Sequence, residues 1–146
     1  MDTILVMELK FDAAHRLLDH DGLCVNLHGH TWKVRFTVSG PVGDTGMVVD
    51  FKVLKSLFTK TISNFDHSVL LNPSDPLFDM IGKFGLRRIA LTSGNPTCEN
   101  LAYMIFSQVG ADLQYYSLTI WNKIKLVSVQ VWESDIASAI VVDNNE

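Results

Sequence analysis

The sequence predicts an α+β domain, and three observations carry that prediction. Two segments near the N-terminus and two near the C-terminus are strand-like, the first two alternating apolar and polar residues as half-buried strands do. Between them lie two stretches whose apolar residues recur at helical spacing. The strands flank the helices instead of interleaving with them, which implies an antiparallel sheet carrying its helices on one face, in the order β-β-α-α-β-β.

The first strand places Leu5, Met7, Leu9, Phe11, Ala13 and His15 on one side and mostly polar residues, Glu8, Lys10 and Asp12, on the other. A polar loop follows from Leu18 to Leu23, with Asp19, His20, Asp21 and Gly22. In the second strand His28, His30, Trp32, Val34, Phe36 and Val38 share a face, and Gly40, Pro41 and Gly43 mark its end. Asp50 is placed to cap a helix running to about Phe65, with Leu54, Leu57, Phe58, Ile62 and Phe65 on its apolar side. The stretch Asn72–Gly94 reads as irregular, broken by Pro73, Pro76, Gly82 and Gly85, with room for a short helix around Leu77–Phe84. A second helix opens at Asn95-Pro96-Thr97, with the proline in its first turn, and buries Leu101, Met104, Ile105 and Val109. Two β-branched segments, about Lys123–Glu133 and Ala137–Val142, close the chain.

Residues 1–146 suit a single domain, and a hydrophobic content of 47% indicates a folded globule. The formal charge of -4 argues against a general nucleic-acid binder but leaves room for an anionic small substrate in a local basic pocket. No apolar run approaches the ~18 residues of a membrane span, and the N-terminus has no signal-peptide pattern. A cytoplasmic protein that does not enter membranes is expected. The two cysteines, Cys24 and Cys98, are too few for a disulfide scaffold.

The chemistry centres on His15 and on His28-Gly29-His30. Residues two apart on a strand project to one face, and His15 has the same parity on its own strand. If the two strands pair, three imidazoles converge and leave a fourth position open, as in a catalytic zinc site. The competing reading is of strand histidines satisfied by ordinary hydrogen bonds. Cys24 lies just upstream, close enough to act as a base on a metal-bound substrate, or to be a small buried loop residue. Asp66-His67 follows the first helix and offers either a proton relay or a polar helix end. Glu133 continues an apolar face with Val127, Val129 and Val131, so its carboxylate needs either solvent or a specific donor. A heterocycle with adjacent N–H and NH2 groups, such as guanine or pterin, would supply two. Glu99 sits in a first helical turn, where the dipole alone favours it.

Five blocks, Phe11-Asp-Ala-Ala-His15-Arg16, Cys24-x3-His28-Gly-His30, Phe65-Asp66-His67, Asn95-Pro-Thr-Cys-Glu99-Asn-Leu-Ala and Val131-Trp-Glu133-Ser, occur in that order. Together they resemble the signatures of the 6-pyruvoyl-tetrahydropterin synthase / 6-carboxy-tetrahydropterin synthase family. The resemblance implies a tunnel fold in which subunits close an oligomeric β-barrel as a trimer, with trimers stacking into a hexamer. It implies Zn2+ held by His15, His28 and His30. Cys24, Asp66 and His67 match the catalytic thiol, carboxylate and imidazole, and Glu133, Thr97 and Glu99 match the residues that hold the pterin ring. The implied active site lies between subunits of a homo-oligomer. The implied substrate is 7,8-dihydroneopterin triphosphate, with zinc supplying Lewis acidity at its side-chain hydroxyls. The short spacer from Cys24 to His28 and the Asn-Pro-Thr-x-Glu block resemble the bacterial branch that makes 6-carboxy-tetrahydropterin, acetaldehyde and triphosphate, a step toward queuosine. The alternatives are the 6-pyruvoyl product, formed by triphosphate elimination, and a non-catalytic pterin-binding protein. The stretch between Leu71 and Asn95 is longer than in compact relatives, and Arg16, Lys33 and Lys52 are candidate cations for the triphosphate.

Overall fold

In the computed structural model, which describes residues 1–120 and 122–144, the first two strands form one long hairpin. β1 (Asp2–His15) runs antiparallel to β2 (His28–Pro41), with Asp2 opposite Pro41 and His15 opposite His28. The register places Leu5, Met7, Leu9, Phe11 and Ala13 opposite Val38, Phe36, Val34, Trp32 and His30 on one face, while Ile4 and Val6 are exposed on the other. Trp32, Val34 and Phe36 are fully buried on the first face, and Phe11 stacks on Trp32 with ring centroids 6.1 Å apart. Gly40 near the hairpin's end is fixed by close approach, since a Cβ there would lie 2.8 Å from Val48 Cγ1 and 3.1 Å from the Lys123 carbonyl oxygen.

Helix α1 (Phe51–Phe65) begins where expected: the Asp50 side chain accepts a hydrogen bond from the Lys52 amide at 2.8 Å. It buries Leu54, Phe58, Ile62 and Phe65 against the sheet and stacks Phe58 on Phe36 at 4.1 Å. The long helix α3 (Cys98–Ile120) buries Leu101, Ile105, Val109 and Leu113 on the same face of the sheet. Each such fully buried side chain contributes roughly 1.5–3 kcal/mol relative to an exposed one. Thr97 is the cap of α3, accepting from the Asn100 amide at 3.2 Å, so Pro96 lies before the helix and not in its first turn.

The expected β-β-α-α-β-β antiparallel order is corrected by two short strands. β3 (Ser68–Leu71) and β4 (Arg88–Ala90) bracket helix α2 (Leu77–Lys83), so the stretch 72–94 is partly ordered. β3 pairs in parallel with the end of β1, and β4 pairs in parallel with β3. With β5 (Lys125–Ser134) and β6 (Ala137–Val142), the sheet is mixed and six-stranded, in the order β4-β3-β1-β2-β5-β6. Strands of three and four residues are too short to display a period. A bulge also shifts the register between β2 and β5, pairing Thr37 with Ser128 and Val38 with Leu126. Val127 is the extra residue, so the buried row of β5 is Leu126, Val129, Val131 and then Glu133, correcting the expected parity of Val127.

The opposite face of the sheet carries charge. Glu8 lies between Lys33 at 3.5 Å and Arg35 at 3.6 Å, and both cations lie over the Trp132 ring. Among the described residues no helix is long and apolar enough to cross a membrane.

Candidate metal centre and adjoining cavity

At the closed end of the hairpin the register places His15 opposite His28, with His30 opposite Ala13. The imidazole centroids lie 4.5 Å apart for His15 and His28, 5.0 Å for His15 and His30, and 5.1 Å for His28 and His30. One ring nitrogen from each lies within 4.8 Å of the others, so the three can hold one ion. His15 Nδ1 is 2.8 Å from the Pro96 carbonyl oxygen, and His28 Nδ1 is 2.7 Å from that of Asn26. A carbonyl only accepts, so both Nδ1 atoms carry the proton and both Nε2 atoms present lone pairs.

Two ring nitrogens of the cluster test whether a metal fits. Nε2 of His15 and Nε2 of His30 are buried and have no hydrogen-bond partner. Leaving buried polar atoms unpaired costs about 1–3 kcal/mol each, which a shared cation would offset. Burial, the largest influence, holds His15 below its ordinary pKa against the opposing effect of the Pro96 carbonyl, so the ring stays a neutral ligand at pH 7. The donor set therefore fits a divalent metal held by three imidazoles.

Glu133 extends β5 to this centre. Its Oε1 lies 3.3 Å from His15 Nε2 and 3.5 Å from His30 Nε2, and the carboxylate is about one-third exposed. It also lines a cavity of about 240 Å³ with Thr97, Cys98, Glu99, Leu17, Ala137 and Ser138. All three residues expected to hold a substrate ring thus share one cavity, beside the histidines. Cys98 shares it too, a placement the sequence did not reveal; its position between Thr97 and Glu99 was the available signal. Burial first, and then the Glu133 charge, push the Cys98 thiol up to about 11, so it stays protonated at neutral pH.

Asp66 and His67 bond each other, with Asp66 Oδ1 3.0 Å from His67 Nδ1. The Asp12 backbone clamps the pair: its amide donates to Asp66 Oδ1 at 3.0 Å, and its carbonyl accepts from the His67 amide at 2.7 Å. The Asp12 amide is the main reason the Asp66 carboxyl lies below the usual carboxylate range. His67 holds a left-handed backbone, φ 55°. The His67 imidazole faces a separate, open groove of about 530 Å³, lined also by Asp12, Gly29, His30 and Ser68. Cys24 is half-buried in the 3-10 turn Leu23–Val25 and lines neither this groove nor the Glu133 cavity. One chain therefore unites the histidines with Glu133, Thr97 and Glu99, but does not bring Cys24 and the Asp66–His67 pair into that cavity. Arg16, a candidate for the triphosphate, is already bonded to Asp75 through two nitrogens at 2.7 and 2.6 Å.

Three imidazoles able to share one ion, beside a cavity walled by the Glu99 and Glu133 carboxylates, define the site class of a metal-dependent enzyme for small polar molecules. The chain belongs to the 6-pyruvoyl tetrahydropterin synthase family, whose model matches residues 4–144. It is 33% identical over 135 residues to the 6-carboxy-5,6,7,8-tetrahydropterin synthase of Haemophilus influenzae, covering 87% of this chain and 89% of that one. The Aquifex aeolicus protein of the same name is 31% identical over 121 residues, 80% of this chain and 74% of that one. Among solved structures, an uncharacterized protein of Wolinella succinogenes superposes with a TM-score of 0.81 at 19% identity, covering 99% of each chain. The 6-pyruvoyl tetrahydropterin synthase of Plasmodium vivax gives 0.75 at 19% identity and 97% of each chain. These two likenesses establish the α+β tunnel-like fold.

Proposed function

We propose that the chain is a zinc-dependent 6-carboxy-5,6,7,8-tetrahydropterin synthase that converts 7,8-dihydroneopterin triphosphate to 6-carboxy-tetrahydropterin, acetaldehyde and triphosphate. The observation that carries the proposal is the position of Glu133, in the wall of the Thr97–Glu99 cavity and 3.3 Å from His15 Nε2. A pterin ring held in that cavity by the carboxylates at its wall lies beside the histidines. The 33% identity to a named 6-carboxy synthase favours the carbon–carbon cleavage over the pyruvoyl outcome.

In this reading His15, His28 and His30 hold the zinc, which when bound supplies Lewis acidity to the substrate's side-chain hydroxyls. Glu133 anchors the ring, and Thr97 and Glu99 at the start of α3 complete its edge. Cys24 is the base that takes a side-chain proton, the role its match to the family's catalytic thiol gives it, while Cys98 stays protonated in the cavity wall. The Asp66–His67 pair carries further protons, its imidazole oriented by the carboxylate as a relay requires. Since one chain leaves Cys24 and this pair outside the Glu133 cavity, the working site is assembled between copies in a homo-oligomer, a trimer or hexamer. Zinc-loaded protein incubated with 7,8-dihydroneopterin triphosphate is expected to release a pterin of the 6-carboxy mass. A 6-pyruvoyl mass contradicts the product assignment, and substrate that binds without turnover indicates a pterin-binding protein.

A further inference from the structure

We infer that the 72–94 segment, together with Asn95 and Pro96 that follow it, is a brace that positions the metal ligand His15, and that Asp75, Arg16 and Asn95 are its positioning residues. Three grips support this, and all fall on residues 15–18. The first lies immediately after His15. Arg16 gives Nε to Asp75 Oδ2 at 2.7 Å and Nη2 to Asp75 Oδ1 at 2.6 Å, and the Asp75 side chain is fully buried. Asp75 is itself held by the start of α2, accepting from the Leu77 amide at 2.9 Å. A two-point guanidinium–carboxylate fork fixes orientation as well as distance, so the end of β1 is locked to the segment.

The second grip is Asn95. Its Oδ1 accepts from the Leu18 amide at 2.9 Å while its Nδ2 donates to the Leu18 carbonyl at 3.0 Å. Asn72, at the other end of the segment, donates to the same Oδ1 at 3.1 Å. The Asn95 carbonyl accepts from Asn100 Nδ2 and the Thr97 amide, each at 2.8 Å. The third grip follows from the second: with Asn95 fixed on both sides, the next carbonyl, that of Pro96, is held 2.8 Å from His15 Nδ1. That bond selects the tautomer and the ring orientation through which Nε2 meets the other two imidazoles. The start of the segment, its buried aspartate and the Asn95–Pro96 pair that follows it therefore converge on the ligand and on the acceptor that orients it.

The inference rests on the proposed metal centre, and its test separates the two. Zn2+ affinity is measured by chelator competition on wild-type protein, Asp75→Asn and Arg16→Lys, at a temperature where each is folded by circular dichroism. Outer partners of metal-bound histidines typically contribute 10–100-fold in affinity, and Asp75→Asn is expected to lose about that much. Arg16→Lys keeps the charge but not the fork and is expected to lose less. A residue serving stability alone would lower the melting temperature and leave the affinity of the folded protein unchanged, which would overturn the inference. If Asp75→Asn does not fold, Arg16→Lys decides it, because wild-type affinity in that variant also overturns the brace. Wild-type protein that binds no Zn2+ overturns the metal centre and the brace together.

Discussion

Glu133 Oε1 stands 3.3 Å from His15 Nε2, joining the wall of the Thr97–Glu99 cavity to the histidine cluster across β5 and β1. The same carboxylate can therefore face a cation held among the imidazoles and accept hydrogen bonds from a molecule in the cavity.

Glu133→Gln keeps the shape but replaces a carboxylate acceptor by an amide. Hydrogen bonds to a charged partner contribute about 1.5–3 kcal/mol, so KM for the triphosphate substrate is expected to rise roughly 10–100-fold. Zinc content is expected to be unchanged. Steady-state kinetics with metal analysis checks this, and an unchanged KM removes Glu133 from the anchoring role.

His28→Ala removes an imidazole whose Nδ1 is committed to Asn26, leaving two ligands. Loss of stoichiometric zinc and of turnover together is expected, read by metal analysis of the purified variant. A variant that retains full metal would mean that the ion sits elsewhere.

The two cysteines are expected to behave differently. Cys24→Ala should retain zinc and lose about 10²–10⁴-fold in kcat, the usual contribution of a positioned base. Cys98→Ala should retain most turnover, since that thiol, pushed up to about 11, is protonated at the working pH. Reversed outcomes would exchange the roles of the two thiols.

The Arg16–Asp75 pair also predicts a pH dependence. Its hydrogen bonds with Arg16 are the main reason the Asp75 carboxyl lies below its ordinary 3.8. A depressed folded-state pKa means that the stabilisation is fully present above pH 3.8 and is lost as pH falls through the lower folded value. Wild-type protein should be more stable than Asp75→Asn at pH 7, and the gap should close below about pH 3.8. Melting curves of both proteins across that range check the sign.

What the sequence revealed and what it hid follow from the range of the interactions. The hairpin was legible because Phe11, Ala13 and His15 on β1 and His30, Trp32 and Val34 on β2 keep an unbroken period of two. The Asp50 cap was legible because caps are local chemistry, and the start of α3 was legible to within a turn, with Thr97 as the cap and Pro96 before it. Strands β3 and β4 are stabilised by pairing with β1 and with each other, and runs as short as Arg88–Ala90 leave no periodic signal. The bulge at Val127 depends on the β2 partner and is invisible along β5 alone. Arg16 looked like a free cation because Asp75, 59 residues away, has no local signature as its partner. The site divides likewise: shared strand parity announced the three histidines, whereas Cys24 was linked to them by its nearness in sequence and Asp66–His67 by residue type, with their roles given by family resemblance.

The most direct test of the proposed function is the co-product. Zinc-loaded protein is supplied with 7,8-dihydroneopterin triphosphate, and acetaldehyde and released triphosphate are quantified in the same reaction. Equal amounts of the two, alongside the 6-carboxy pterin, are predicted. Triphosphate release without acetaldehyde would contradict carbon–carbon cleavage and assign the chain the pyruvoyl outcome instead.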